Sequence, residues 1–247
     1  MTRLDQALVE RGLCESREKA KRAIMAGQVL TNGQLARKPS DGVKAADLLS
    51  LVVGEKYVSR GGVKLEHALR QFGLQVAGAV VLDLGASTGG FTDCLLQAGA
   101  RQVFAVDVGQ GQLAWKLRQD GRVAVMEKTN ARHLTPAHFP QPFVPFDVAV
   151  MDCAFISLRK ILPPAIALLR VGANIIALVK PQFEAGKAEV DRGAGVIRDP
   201  AIHDRVLREL NEFVATQPGL SWRQVTASPL LGPAGNKEFL VLIEKSG

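Results

Sequence analysis

The sequence predicts an α/β protein: a mainly parallel, doubly wound sheet preceded by a small α+β unit. Three observations predict it. From about residue 63 onward, apolar strand-like runs alternate with helical runs, as in a parallel sheet covered on both faces. The strand Val80–Leu84 runs straight into a glycine-rich turn, Gly85-Ala86-Ser87-Thr88-Gly89-Gly90, and a helix follows. The N-terminal residues break this rhythm, with two short helices and a small sheet that together bury little on their own.

In the N-terminal part, Leu4, Ala7, Leu8 and Leu13 follow helical spacing. Ser16 is placed as an N-cap for a helix over 17–26, with Ala20, Ala23 and Ile24 inward and Gly27 as its stop. Val29–Thr31 reads as a strand, Asn32-Gly33 as a hairpin turn, 40–44 as a further turn and 47–53 as a second strand. Residues 1–57 are therefore expected to form one unit, 58–62 a linker and 63–247 the larger domain. In the latter, helices are predicted over 64–72, 91–98, 111–119, 158–169 and 203–215. Strands are predicted at Val80–Leu84, Gln102–Val106, 123–127, Phe146–Met151, 174–179, 222–227 and 238–243.

Composition narrows the function. Of 247 residues, 47% are hydrophobic, so a substantial core can form. Lys and Arg number 31 against 24 Asp and Glu, a net charge of +7 that suits a polyanionic partner. Cys14, Cys94 and Cys153 lie far apart, with no zinc spacing and no disulfide framework. The four histidines form no metal pattern, so no metal is expected, and no G-x-S-x-G motif supports a serine hydrolase. Charges near Met1 and the absence of a long apolar run predict a soluble, cytoplasmic protein without membrane contact.

The glycine-rich turn lies where doubly wound sheets bind ligands, outside the carboxyl ends of the strands. Bare backbone at Gly85, Gly89 and Gly90 permits close approach, and the next helix offers free N–H groups near Ala86, Ser87 and Phe91. The turn lacks the Gly-Lys-Ser/Thr of a P-loop and the strict spacing of a dinucleotide fold. Asp107, ending the next strand ahead of Val108, is suited to accept ribose hydroxyls. Asn130, after the third strand, is placed to meet an adenine edge. The plainer alternative is that Asp83 and Asp107 serve only as capping or turn residues.

Four further residues fall at or near this crevice. Asp152 and Lys180 follow apolar strands, Lys64 opens the helix before the glycine-rich strand, and Glu238 begins the last strand. Two lysines with carboxylates alongside can remove a proton from a poor acid, provided one amine is neutral. Each has an ordinary alternative: a solvated surface for Lys64, a helix cap for Asp152, and pairing with Lys237 or Lys245 for Glu238. Lys180, ending a buried strand, is the hardest to explain otherwise.

These residues carry a resemblance. Ser59-Arg60-Gly61-Gly62-Val63-Lys64-Leu65, Asp83 through Thr92, Asp107-Val108-Gly109, Phe155-Ile156-Ser157-Leu158 and Lys180-Pro181-Gln182-Phe183-Glu184 resemble the TlyA (haemolysin A) family. Gly193 through Pro200 and Gly235 through Leu240 extend the resemblance to the C-terminus. That family joins an N-terminal S4 RNA-binding domain to an FtsJ-like (RrmJ-type) methyltransferase domain. The resemblance implies a Rossmann-like sheet of seven strands, the class I methyltransferase fold, with S-adenosylmethionine as donor. It also implies a cytidine ribose 2′-hydroxyl of ribosomal RNA, free or in ribosomal subunits, as acceptor. The family's Lys-Asp-Lys-Glu tetrad falls on Lys64, Asp152, Lys180 and Glu238, with Lys180 as the base. One departure is Ala154, where the family usually has Ser.

The N-terminal part resembles an S4 domain through Arg3-Leu4-Asp5, Ser16-Arg17, Ala20, Gly27-Gln28-Val29 and Asn32-Gly33. Arg3, Arg17, Lys19, Lys21, Arg22, Arg37 and Lys38, together with Arg60, are then candidates for phosphate contact. The helix is acid-poor, with Glu18 alone. Two other readings carry different expectations. An RNA-binding protein with an inactive methyltransferase fold would show degraded Asp83, Asp107 or Lys180 positions, and none is degraded. A cytolysin, as the family's older name suggests, would need a lytic helix and an export signal, and neither is found.

Overall fold

The computed structural model describes residues 1–51 and 56–247. By its internal contacts the chain divides into two compact units, Met1–Lys56 and Tyr57–Gly247.

In the first unit, β1 (Thr2–Arg3) leads into α1 (Leu4–Glu10), and α2 (Arg17–Met25) follows. Ser16 caps α2 by accepting a hydrogen bond from Lys19 N–H. Gly27, at φ 68°, stops it, with Gln28 N–H donating back to the carbonyl of Ala23. Then come β2 (Val29–Thr31), β3 (Gln34–Leu35), β4 (Gly42–Val43) and β5 (Leu49–Leu51). Asn32 and Gly33 both take positive φ, as a tight β2–β3 hairpin requires. Leu4, Leu8, Ala20, Ile24 and Val29 form its small core. Two expectations change. Residues 42–43, expected in a turn, pair with β1 because chain entry beside them offers an antiparallel partner. The second strand, expected over 47–53, begins at Leu49, and positions 52–53 lie outside the described residues.

The second unit opens with Tyr57 buried and Val58 N–H donating to Asp93 at 2.9 Å. The 58–62 stretch, expected as a linker, is thus folded into this unit, and α3 (Gly61–Phe72) already starts at Gly61. The cause is close packing. A Cβ on Gly62 would lie 2.2 Å from the Tyr57 ring, and one on Gly90 would lie 2.3 Å from Ser59 Oγ. The order continues β6 (Val80–Leu84), α4 (Gly90–Gln97), β7 (Gln102–Val106), α5 (Trp115–Arg118), β8 (Val123–Met126) and β9 (Phe146–Met151). After these come α6 (Leu158–Ile166), β10 (Leu169–Val179), α7 (Pro181–Glu184), α8 (Lys187–Arg192), α9 (Pro200–Thr216), β11 (Leu220–Ala227) and β12 (Phe239–Lys245).

Seven strands form one sheet in the order β11-β12-β10-β9-β6-β7-β8. The pairs from β10 to β8 are parallel, and β12 pairs antiparallel with both its neighbours. Strand order reverses between β6 and β9, so the crevice opens at their carboxyl ends. Alternation sends Leu82, Met151, Ile175 and Val241 to one face, under α6 and α9. It sends Val81, Val150, Ile176 and Leu240 to the other, under α3 and α4. Burying each such side chain stabilises the fold by roughly 1.5–3 kcal/mol.

Several boundaries differ from expectation. The helix expected over 111–119 shrinks to α5, because only Leu113 and Leu117 find apolar cover there. The run 158–169 ends its helix at Ile166, and β10 begins at Leu169, not 174, pairing with Phe146 before its register shifts. Glu238 stands just ahead of β12 rather than within it. Among the described residues no helix is long and apolar enough to cross a membrane.

Candidate active site

A cleft of about 280 Å³ lies at the switch point. It is lined by Gly85, Ala86, Ser87, Gly90 and Phe91 of the glycine-rich turn, with Lys64, Asp152 and Lys180. Ser59, Arg60, Gly61, Thr88, Ala154 and Pro233 complete it. The fold positions the reactive groups directly. Asp152 and Lys180 follow neighbouring parallel strands, so both leave the sheet at the same edge. Lys64 sits in the first turn of α3, on the buried side with Leu65 and Ala68.

The four polar groups form two ion pairs. Lys180 Nζ lies 2.6 Å from Asp152 Oδ1, with side chains 12% and 23% exposed. Lys64 Nζ lies 2.5 Å from Glu238 Oε2, with side chains 9% and 1% exposed. Glu238 therefore takes neither Lys237 nor Lys245, and Lys64 is no surface residue. A carboxylate this enclosed needs its partner, because an uncompensated charge away from water is costly. Gly232 makes room for it, since a Cβ there would lie 2.6 Å from Glu238 Oε1.

The candidate cofactor residues sort into three groups. Gly85, Ala86, Ser87, Gly90, Phe91 and Asp152 reach the cleft. At Gly85 (φ 84°) a Cβ would lie 2.7 Å from the carbonyl oxygen of Asp152, so the floor is bare backbone that only glycine allows. Asp107, Val108 and Asn130 stand beside it. Asp107 accepts from Ser87 N–H at 2.8 Å and Gly109 N–H at 2.7 Å, fixing the turn. Asn130 is exposed and caps the short turn after it, accepting from Arg132 N–H at 3.0 Å. The backbones of the two segments join through Thr129 N–H and the Asp107 carbonyl.

Asp83 and Gly89 do not reach the cleft. Asp83 is wholly buried behind the turn, where Thr92 Oγ1 donates to Oδ2 at 2.6 Å. Its Oδ1 has no hydrogen-bond partner, and burial pushes its carboxyl up to about 7. Gly89 is needed for packing, since a Cβ would lie 2.2 Å from Leu117. Cys153, beside Asp152, is pushed up to about 12 by burial, which makes its thiol inert. Among the described residues no cluster of His, Cys, Asp or Glu could hold a metal.

Pro233 and Ala154 were missed as lining residues, although both lie inside or beside the motif runs. Asn236 was missed as well. It is buried, accepts from Ile197 N–H at 2.9 Å and donates to the Gly195 carbonyl at 2.9 Å, tying that loop to the approach of β12. Its signal was the Gly235-Asn236-Lys237-Glu238 run.

In the N-terminal unit, the cations are not all free. Asp5 is wholly buried, and Arg3 (3.1 Å) and Arg17 (3.2 Å) hold its carboxyl down to about 2. Lys19 pairs with Glu15, and Lys21 with Glu18 at 2.9 Å. The helix is acid-poor in sequence, yet acids before it reach its cations. Among the described residues Arg22, Arg37 and Lys38 have no ion pair, and all three are exposed.

A seven-stranded sheet with an antiparallel edge, a glycine-rich turn at the switch point and an acid ending the next strand define an S-adenosylmethionine-dependent methyltransferase. The residues present fit that donor: bare backbone at Gly85 forms a cradle, and Asp107 stands at its side. Comparison with known proteins agrees. The FtsJ-like methyltransferase profile matches residues 57–245, and the S4 domain profile matches 2–49. YqxC of Bacillus subtilis is 51% identical, over 99% of this chain and 86% of its own length. The 16S/23S rRNA (cytidine-2′-O)-methyltransferase TlyA of Mycobacterium tuberculosis is 46% identical, over 97% of this chain and 88% of its own. A solved hemolysin-type structure from Streptococcus thermophilus superposes with a TM-score of 0.74 at 46% identity, over 99% of this chain and 88% of that one. The chain belongs to the TlyA family of S4-containing, FtsJ-like methyltransferases.

Proposed function

We propose that this protein transfers a methyl group from S-adenosylmethionine to the 2′-hydroxyl of a cytidine in ribosomal RNA, with ribosomal subunits or their RNA as substrate. The observation that carries the reading is the Lys180–Asp152 pair facing the glycine-rich turn across one cleft. The relatives' activity on rRNA cytidines supports the substrate.

When bound, the donor supplies an electrophilic methyl carbon on a sulfonium. Gly85, Ala86, Ser87, Asp107, Val108 and Asn130 would hold it. Asp83 supports the turn from behind, against Thr92. Lys180 would take the 2′-hydroxyl proton as the oxygen–carbon bond forms and the methyl carbon–sulfur bond breaks, leaving S-adenosylhomocysteine, with Asp152 aiming its Nζ. Lys64, held by Glu238, lies on the same cleft wall as a donor to the acceptor ribose. Ordering both reactants in one cleft removes the entropy cost of their meeting. Arg22, Arg37, Lys38 and Arg60 contact phosphates. Arg3, Arg17, Lys19 and Lys21 add field while remaining tied to acids.

The test is transfer of labelled methyl from S-adenosylmethionine to purified ribosomal subunits, followed by mapping of the label. Label on a cytidine ribose is expected. Label on a base, or none at all, overturns the reading.

A further inference from the structure

Beyond Lys64, Asp152, Lys180 and Glu238, a further carboxylate joins the two strand ends. Glu184 closes α7, about one turn after Lys180. Its side chain crosses to the segment that follows Asp152. Oε2 accepts from the Ser157 hydroxyl at 2.6 Å, and Oε1 accepts from Leu158 N–H at 2.7 Å. These donors form the start of α6, where Ser157 Oγ also accepts from Arg159 N–H at 3.1 Å. Burial pushes the Glu184 carboxyl above its ordinary value, and the bonds from Ser157 and Leu158 oppose that shift.

Two further features mark the same junction. The rings of Phe155 and Phe183 meet at 5.1 Å, one from each segment. Phe155 itself stands at φ 61°, a left-handed conformation uncommon for a bulky residue, with its side chain largely exposed. Glu184 anchors the far end of the chain between Asp152 and α6.

The geometry points to Glu184 as a positioning residue: its carboxylate locks the chain behind Lys180 to the chain behind Asp152, and so places the Lys180 amine against the acceptor oxygen. The assignment rests on Lys180 being the base. A lysine stem has four rotatable bonds, so the single Lys180–Asp152 contact does not by itself fix the segments that follow the two residues against each other. Two hydrogen bonds accepted by one planar carboxylate tie those segments together. A misplacement near 1 Å at a reacting centre costs about 10²-fold in rate.

Two substitutions separate geometry from charge. Glu184→Ala deletes both bonds. Glu184→Gln preserves both, because its carbonyl accepts Leu158 N–H while its amide donates to Ser157 Oγ. The full-length proteins are compared on purified ribosomal subunits for kcat, KM for S-adenosylmethionine and melting temperature. For Glu184→Ala, kcat is expected to fall about 10²-fold with the donor KM within about twofold, and Glu184→Gln to recover to within about fivefold of wild type. A folded Glu184→Gln as impaired as Glu184→Ala overturns the proposal, since charge would then be what matters. A Glu184→Ala protein with lowered melting temperature but wild-type kcat overturns it too, leaving only a structural role. Should Glu184→Ala fail to fold, Ser157→Ala carries the test: a kcat loss of at least about threefold supports the clamp, and wild-type kcat removes it. A wild-type protein that transfers no methyl group refutes the base assignment itself, and is seen before any variant is made.

Discussion

The two units use the same ionic chemistry in opposite directions. In Met1–Lys56 the acid is buried and the cations face out: Asp5 has no exposed surface, while the Arg3 and Arg17 side chains are about half exposed. In the two pairs at the methyltransferase cleft both members turn inward, and Lys64 with Glu238 is almost wholly enclosed. The first arrangement leaves positive charge at the surface, where water and salt screen it. The second holds a small number of polar groups in a confined cleft, where each is strong because water is scarce. The difference teaches that the environment of a pair, not its composition, decides whether it displays charge or does chemistry.

Lys180→Ala tests the inward arrangement most severely. Methyl transfer should fall by on the order of 10³-fold while calorimetric binding of S-adenosylmethionine stays close to wild type. Turnover within about tenfold of wild type would remove Lys180 as the base. Next is Glu238→Gln, which leaves the Lys64 ammonium enclosed without a counter-charge. Denaturant unfolding should show a loss of roughly 3 kcal/mol, and a far smaller one for Glu18→Gln, whose pair with Lys21 is open to solvent. Equal losses at the two sites would abolish the contrast.

The outward arrangement is tested by reversing the charge of Arg22, Arg37 and Lys38 together. RNA affinity should drop alike for every sequence tried. The slope of log affinity against log salt should shrink by about 2, since each lost phosphate contact removes about 0.7–0.9. An unchanged slope would show that this face meets no phosphate. The smallest effect is expected from Asp83→Asn. Burial raises this carboxyl from 3.8 to about 7, so the folded state holds the proton more tightly than the unfolded chain does. Its contribution to stability is present below about pH 4 and is lost as pH rises toward 7. The substituted protein should gain melting temperature relative to wild type across that window. A difference that does not vary with pH would mean that Asp83 is already ionised there.

Much of this was readable from the order of residues. The β6–turn–α4 unit is local: an apolar strand, glycines and a helix start fall within a dozen positions, so the sequence shows them together. The same holds for the Ser16 cap, the Gly27 stop and the Asn32-Gly33 hairpin. Asp152 and Lys180 were visible because polar residues ending apolar strands stand out, and parallel pairing brings such ends to one edge. The partnerships were not visible. Lys64 and Glu238 lie 174 positions apart, and no local pattern assigns one to the other. The helix expected over 111–119 failed for a related reason, because its length depends on which side chains find cover. The 58–62 stretch looked like a linker because the contacts of Tyr57, Ser59 and Gly62 with α4 and its neighbours are formed only in the folded unit.

The amino-acid order was enough to fix the alternation of strands and helices, the glycine-rich turn at the switch point and the residue types at the strand ends. Those follow from backbone preference and apolar periodicity, which act over a few residues. Only the tertiary structure decided which lysine holds which carboxylate, that Asp83 lies sealed behind the turn, that Asp5 takes up Arg3 and Arg17, and that Glu184 bridges two strand ends. Such outcomes depend on burial and on contacts between distant segments, where the loss of water sets the strength of each charge.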